Sequence, residues 1–326
     1  MERTPSVITL GEALVEIMRP AIDQPLDQEG SFLGPFASGA PAIFAVAAAR
    51  LGLETGFIGG VGDDAFAQLL RQRFLQEGVS IAQTQVIDGY STAVAFVGYR
   101  ADGSREFVFH LRHAAAGQFA ADALDDAYFG RVRWLHLSGS TLALNARCRQ
   151  AAHEAWTLTK GKGNRRLLGR LSFDPNLRPE LISPSDARRL FAPFLQEASL
   201  LLPTAAEARM LTGYEDEEDA ARALLAHGAE LVALKQGAAG ALFCTPEEVI
   251  RAPAFDVTEV DPTGAGDCFN AACVLGLQQG WPLRQIAQFA TAAGALAVTR
   301  QGPMEGAPTR TDIEALLSER TTRNGG

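Results

Sequence analysis

Short apolar runs alternate with amphipathic stretches along this chain. The runs Val7–Leu10, Thr55–Ile58, Trp134–Leu137, Arg170–Asp174, Leu200–Leu202 and Leu231–Leu234 have the length and make-up of buried strands. Between them, apolar positions return at spacings of three and four. Phe66, Leu69, Leu70 and Phe74 predict a helix over Asp63–Gln76, which Gly78 stops. Repeated βα units of this kind predict an α/β fold in which helices cover a mainly parallel sheet.

One region departs from that rhythm. Ser91–Tyr99 and Arg105–His110 are β-rich and joined by Arg100-Ala101-Asp102-Gly103-Ser104, whose Asp-Gly pair signals a tight turn. In the first run Ala93, Ala95 and Val97 interleave with Val94, Phe96 and Gly98, so both faces are apolar and both need cover. Two readings stand: a lid packed on the core with a ligand or partner subunit on its other side, or an ordinary edge hairpin. The irregular Arg19–Pro35 segment would extend the same lid. Lys160–Arg170, basic and glycine-containing, reads as a solvated loop. Neither a solenoid repeat nor a low-complexity tract interrupts the chain.

Composition narrows the class. The 326 residues are 47% hydrophobic, enough to bury a core without staples, as one large domain or two ordinary ones. A formal charge of −9 argues against a nucleic-acid partner. Cys148, Cys244, Cys268 and Cys273 form no C-x-x-C pair and read as reduced, mostly buried thiols. Met1–Pro5 is followed by no apolar signal region, and the longest apolar runs, such as Ala45–Ala49, are too short to span a bilayer. A soluble cytoplasmic protein without a membrane partner is expected.

Two glycine-rich turns compete as anion sites. Gly60-Val61-Gly62-Asp63-Asp64-Ala65 fits the dinucleotide pattern G-x-G-x-x-A between a strand and a helix, with Asp88 in range of a ribose. On that pattern the chain would be a nicotinamide-dependent oxidoreductase. Asp63 and Asp64, however, occupy the first helical turn, where they would repel a pyrophosphate and satisfy the dipole themselves.

The second turn is Asp261-Pro262-Thr263-Gly264-Ala265-Gly266-Asp267-Cys268-Phe269. Beyond Asp267, Phe269, Ala272, Cys273 and Gly276 share a helical face that Gly280 ends. Gly264, Ala265 and Gly266 thus lie at a helix N-terminus, where backbone N–H groups lack intrahelical partners and a phosphoryl group can approach. A carboxylate beside such a cradle makes chemical sense with a substrate hydroxyl between them. Asp267 would take the proton as the oxygen attacks phosphorus, and the backbone donors would hold the charge. The alternative is a glycine turn with Asp267 as a capping acid. A P-loop, H-E-x-x-H, G-x-S-x-G and paired-cysteine metal sites are all missing from the sequence. His110 and His113, close together at the end of a β-run, read as polar surface residues.

Asp261–Phe269 closely resembles the C-terminal signature of the ribokinase-like (PfkB) carbohydrate kinases. Gly11-Glu12, Ser38-Gly39-Ala40-Pro41 with Ala47–Gly52, Gly59–Asp64, Trp134–Gly139, Phe173–Arg178, Lys235–Gly240 and Ala293–Arg300 are similar to other stretches of that family. The resemblance implies a single ribokinase-like domain over 1–326, a three-layer α/β core with a small β-lid from about 12–36 and 89–113. It implies Asp267 as catalytic base and Gly264, Ala265 and Gly266 as the anion hole. ATP would lie beside Thr204, Lys235, Gly237 and Gly240, with Mg2+ ordered through water by Glu207. The sugar would meet Gly39, His110, Arg112 and Arg178, and Asp261 and Thr263 would flank a monovalent cation such as K+. Apart from the resemblance, the two apolar faces of the hairpin leave room for a homodimer through the lids.

Two positions depart from the family pattern, Ile43 and Thr204, each standing where asparagine is usual. The chain is most similar to the 2-keto-3-deoxygluconate kinase and tagatose-kinase-like branch. There Arg112 and Arg178 would clamp a substrate carboxylate, or equally bind neutral hydroxyls or the ATP phosphates.

Overall fold

The structure, a computed structural model, describes residues 5–161 and 169–324, with side chains through residue 320. Its frame is a nine-stranded sheet ordered β13-β12-β11-β10-β9-β8-β1-β4-β5. These strands are β1 (Val7–Leu10), β4 (Thr55–Val61), β5 (Ser80–Val86), β8 (Trp134–Ser138), β9 (Arg170–Asp174), β10 (Leu200–Leu201), β11 (Leu231–Lys235), β12 (Ala241–Cys244) and β13 (Val249–Ala252). From β11 to β5 every pairing is parallel, and only β12 and β13 turn antiparallel at one edge. All four residues of β1 are buried, as a strand covered on both faces requires.

Two apolar layers sandwich this sheet. One gathers Leu135, Leu171 and Phe173 with the helices Ala146–Lys160 and Pro184–Glu197. The other gathers Phe44, Leu200 and Phe243 with the helices Ala40–Arg50, Ala265–Gln278 and Leu283–Ala297. The α/β, mainly parallel reading therefore holds. The helix predicted over Asp63–Gln76 runs Ala65–Gln76, with Asp64 as its cap. The strand predicted to end at Ile58 continues through Gly59 and Gly60. A side chain on Gly60 would fall 2.3 Å from the Ala115 carbonyl, so the strand's close neighbours require the glycine that made it look like a turn.

A second, four-stranded sheet is ordered β3-β2-β6-β7, from β2 (Leu14–Met18), β3 (Leu33–Ser38), β6 (Ala93–Tyr99) and β7 (Arg105–His110). The predicted hairpin is its β6–β7 antiparallel pair. β2 follows β1 after three residues, so the chain passes directly from one sheet to the other. Leu14, Glu16, Ala95, Arg105, Phe107 and Phe109 face the space between the two sheets. Residues 162–168, most of the expected basic loop, lie outside the described residues. All four cysteines are free and buried. Among the described residues no helix is long and apolar enough to cross a membrane.

Candidate active site

A cavity of about 890 Å3 opens between the sheets, at the carboxyl ends of β9 and β11, where open parallel sheets characteristically bind ligands. Asp174 closes β9 and Lys235 closes β11, and both line it.

The helix Ala265–Gln278 points its N-terminus into this space. Its cap, Gly264, has φ +86°, and a Cβ there would lie 2.3 Å from the Pro303 carbonyl, so only glycine fits. No side chain caps this end, which leaves its N–H groups for a ligand. Asp267 sits in the first turn and lines the cavity. Burial, reinforced by the nearby Asp174 charge, pushes its carboxyl well above the ordinary aspartate value, while Lys235 and Arg178 pull the other way. The carboxylate is thereby a stronger proton acceptor than a solvated aspartate.

The rival glycine turn is closed to anions. Asp64 accepts from Ala67 N–H at 2.8 Å and from both the Thr92 N–H and hydroxyl at 2.7 Å. Its carboxylate occupies the place a pyrophosphate would need, and the dinucleotide reading falls with it.

Beyond the cradle, Thr204, Glu207, Lys235, Gly237 and Gly240 line the cavity. Thr204 and Glu207 form a reciprocal capping box, and Glu207 Oε1 also accepts from Leu177 N–H at 2.6 Å. Threonine thus keeps the capping half of what an asparagine would do. Asp174 accepts from Lys235 Nζ at 2.7 Å, Asn270 Nδ2 at 2.6 Å and Asn176 N–H at 3.0 Å.

Gly39 and Arg178 also line the cavity, with Glu12, Glu16 and Arg105, to which sequence reasoning gave no role. Glu12 is held by the Ser140 and Thr141 hydroxyls, both at 2.6 Å. Glu16 accepts from Ser38 at 3.0 Å through one oxygen, while the other is buried without a protein partner. Burial and the Asp261 charge push Glu16 up to about 7. Asp261, 2% exposed, accepts from the Tyr99 hydroxyl, Thr263 N–H and Gly302 N–H, each at 2.9 Å. Arg105 Nη1 comes within 3.4 Å of Thr263 Oγ1.

Two expected sugar contacts are not in the cavity wall. His110 is exposed on the opposite face of β7 from Phe107 and Phe109, because side chains alternate along a strand. Arg112 is exposed and donates to the Leu181 carbonyl at 2.9 Å.

The sequence profile of the pfkB family carbohydrate kinases matches residues 5–310. The chain belongs to the pfkB family. Among curated relatives of this pfkB kinase, Escherichia coli fructokinase is 32% identical over 318 residues, covering 95% of this chain and 98% of that one. The 5-dehydro-2-deoxygluconokinase of Shouchella clausii is 28% identical over 319 residues, covering 96% and 95%. Among solved structures, an E. coli protein described as a candidate ribokinase II, in complex with ATP and Mg2+, superposes with a TM-score of 0.89 at 37% identity, covering 97% and 99%. A double mutant of Vibrio cholerae fructokinase with fructose, ADP and potassium gives 0.80 at 27%, covering 96% and 99%. As a pfkB enzyme the chain is a carbohydrate kinase, a phosphotransferase.

The pfkB signature marked the cradle because it is contiguous. Glu16 and Arg105 escaped because each is one polar residue in a short strand. Their only local signal is the period of two that puts them on the inward face with Leu14 and Phe107.

Proposed function

We propose that this kinase transfers the γ-phosphoryl group of Mg·ATP to the primary hydroxyl of a ketose or keto-sugar acid, of the tagatose, fructose or 2-keto-3-deoxygluconate type. One observation carries the reading: Asp267 and the uncapped helix start after Gly264 face the same cavity. The fructokinase and 5-dehydro-2-deoxygluconokinase relatives support the substrate class.

The nucleotide would run along Lys235–Gly240 with its terminal phosphate at the cradle, and the sugar would lie beneath the second sheet near Gly39 and Arg178. Asp267 takes the hydroxyl proton late, the cradle N–H groups hold the charge on the transferring group, and closure of the second sheet excludes water. Magnesium fits. Glu207 is a fixed, hard-oxygen donor at the cavity wall, suited to ordering the water shell of an ion carried by phosphates, where it supplies charge neutralisation. A monovalent cation fits less well. The Asp261 oxygens already face three O–H and N–H donors, and a guanidinium approaches Thr263. With the Arg105 guanidinium already beside Thr263, no step is routed through a second cation there.

The test is sugar-dependent ADP release with Mg·ATP over a panel of tagatose, fructose, ribose, 2-keto-3-deoxygluconate and adenosine. Turnover with a ketose or keto-sugar acid, falling about 10²–10⁴-fold in Asp267→Asn, is expected. Because Asp267 acts deprotonated and its pKa is raised, kcat should fall on acidification at a higher pH than an ordinary aspartate would give. Wild-type turnover in Asp267→Asn would remove the assignment.

A further inference from the structure

Lys235 occupies a position that contact with the nucleotide alone does not explain. It is the last residue of β11, its side chain is 14% exposed, and its Nζ is 2.7 Å from Asp174 Oδ2. A Cβ built on Gly266 would lie 3.6 Å from Nζ and 3.8 Å from Cδ. The ammonium therefore sits within one van der Waals layer of the anion cradle, on the cavity side. It has three N–H groups; Asp174 takes one, and Asn270 Oδ1 lies at a long 3.4 Å. Asp174 does not depend on it. Asn270 Nδ2 and Asn176 N–H still satisfy that carboxylate if the lysine turns away.

We propose that Lys235 is a catalytic residue, whose ammonium turns from Asp174 to hold a non-bridging oxygen of the γ-phosphoryl group during its transfer. This rests on the kinase reading and deepens it. The sugar oxygen forms its bond to the γ-phosphorus and its proton passes to Asp267. The bond from that phosphorus to the β,γ-bridging oxygen breaks, and its electron pair leaves with ADP. Lys235 donates a hydrogen bond throughout and gives up no proton. Asp174 is the counter-ion that holds the ammonium in place before the nucleotide arrives. A strongly hydrated point charge with a flexible stem suits this move better than a rigid guanidinium. The backbone donors of the cradle approach the group from the helix side and Lys235 from the sheet side, so the phosphoryl group is gripped between two elements.

The test separates this role from simple nucleotide binding. Lys235→Met, Lys235→Arg and the double variant Asp174→Asn/Lys235→Met, which removes both charges together, are compared with wild type. Dissociation constants for Mg·ADP and Mg·AMP-PNP are measured by calorimetry, and kcat and KM for ATP with the sugar that gives turnover. Lys235→Met should weaken AMP-PNP about tenfold while ADP stays within twofold, and kcat should fall about 10²–10³-fold, with KM for ATP rising about tenfold alongside AMP-PNP. Lys235→Arg should recover part of kcat, and the double variant should behave like the single Met variant. Equal weakening of ADP and AMP-PNP, or a Met variant within threefold of wild-type kcat, would overturn the proposal. Wild-type protein that turns over no sugar would count against the kinase reading instead. The ADP and AMP-PNP comparison would still decide whether Lys235 reads the terminal phosphoryl group.

Discussion

Gly266→Ala should separate folding from catalysis at the cradle. Gly266 is the second residue of its helix, and its backbone is not left-handed. The added methyl would meet only Lys235, at 3.6 and 3.8 Å, which is ordinary contact. Alanine in a helix gains up to about 1 kcal/mol over glycine, which for a domain of this size raises Tm by about 2 °C. The same methyl projects between the cradle and Lys235, into the space a phosphoryl oxygen must enter to come within about 3 Å of the backbone donors. Removing that approach should lower kcat about 10²–10³-fold. Gly264→Ala, two residues earlier, should do the reverse to stability. At φ +86° with a carbonyl 2.3 Å away, it costs on the order of 3 kcal/mol through strain and backbone displacement. Scanning calorimetry and a coupled ADP-release assay on the two variants read both effects. A stable Gly266→Ala enzyme with kcat within threefold of wild type would refute the placement of the phosphoryl group. A large fall in its Tm would refute the packing argument.

Two further outcomes follow from Glu16 and Asp261. Glu16→Gln should stabilise the protein at pH 8 and not at pH 5. The fold raises Glu16 from 4.5 to about 7, so its contribution is fully present below 4.5 and lost as pH rises through 7, at a cost of up to about 3 kcal/mol. Equal Tm differences at the two pH values would contradict this. Because Asp261 is already satisfied by Tyr99, Thr263 and Gly302, exchanging K+ for Na+ at constant ionic strength should leave kcat within twofold. A strong K+ activation would show that a cation displaces one of those donors.

The sequence carried the parts of this protein whose physics is local. Buried parallel strands announce themselves as short apolar runs, the helix over Ala65–Gln76 by its period, and the β6–β7 hairpin by its Asp-Gly turn. The anion cradle was legible for the same reason: Gly264, Ala265, Gly266 and Asp267 are adjacent, and a helix start has unpaired N–H groups wherever it occurs. Asp63 and Asp64 likewise warned against the glycine turn before it, and the cap made by Asp64 bears that out.

Only the tertiary structure decided which face of β7 looks inward. His110 and Arg105 are both polar residues on one short strand, and a one-residue change of register would exchange their sides. That choice is fixed by pairing with β6 and by burial of Phe107 and Phe109 toward the cavity, through contacts far apart in the chain. Asp174, Lys235 and Asn270 meet for the same kind of reason. They come from two strand ends and a helix 35 to 96 residues apart, and nothing local in any of them specifies the others. Adjacent residues inherit their geometry from the backbone, whereas residues on separate elements acquire theirs only when the core packs.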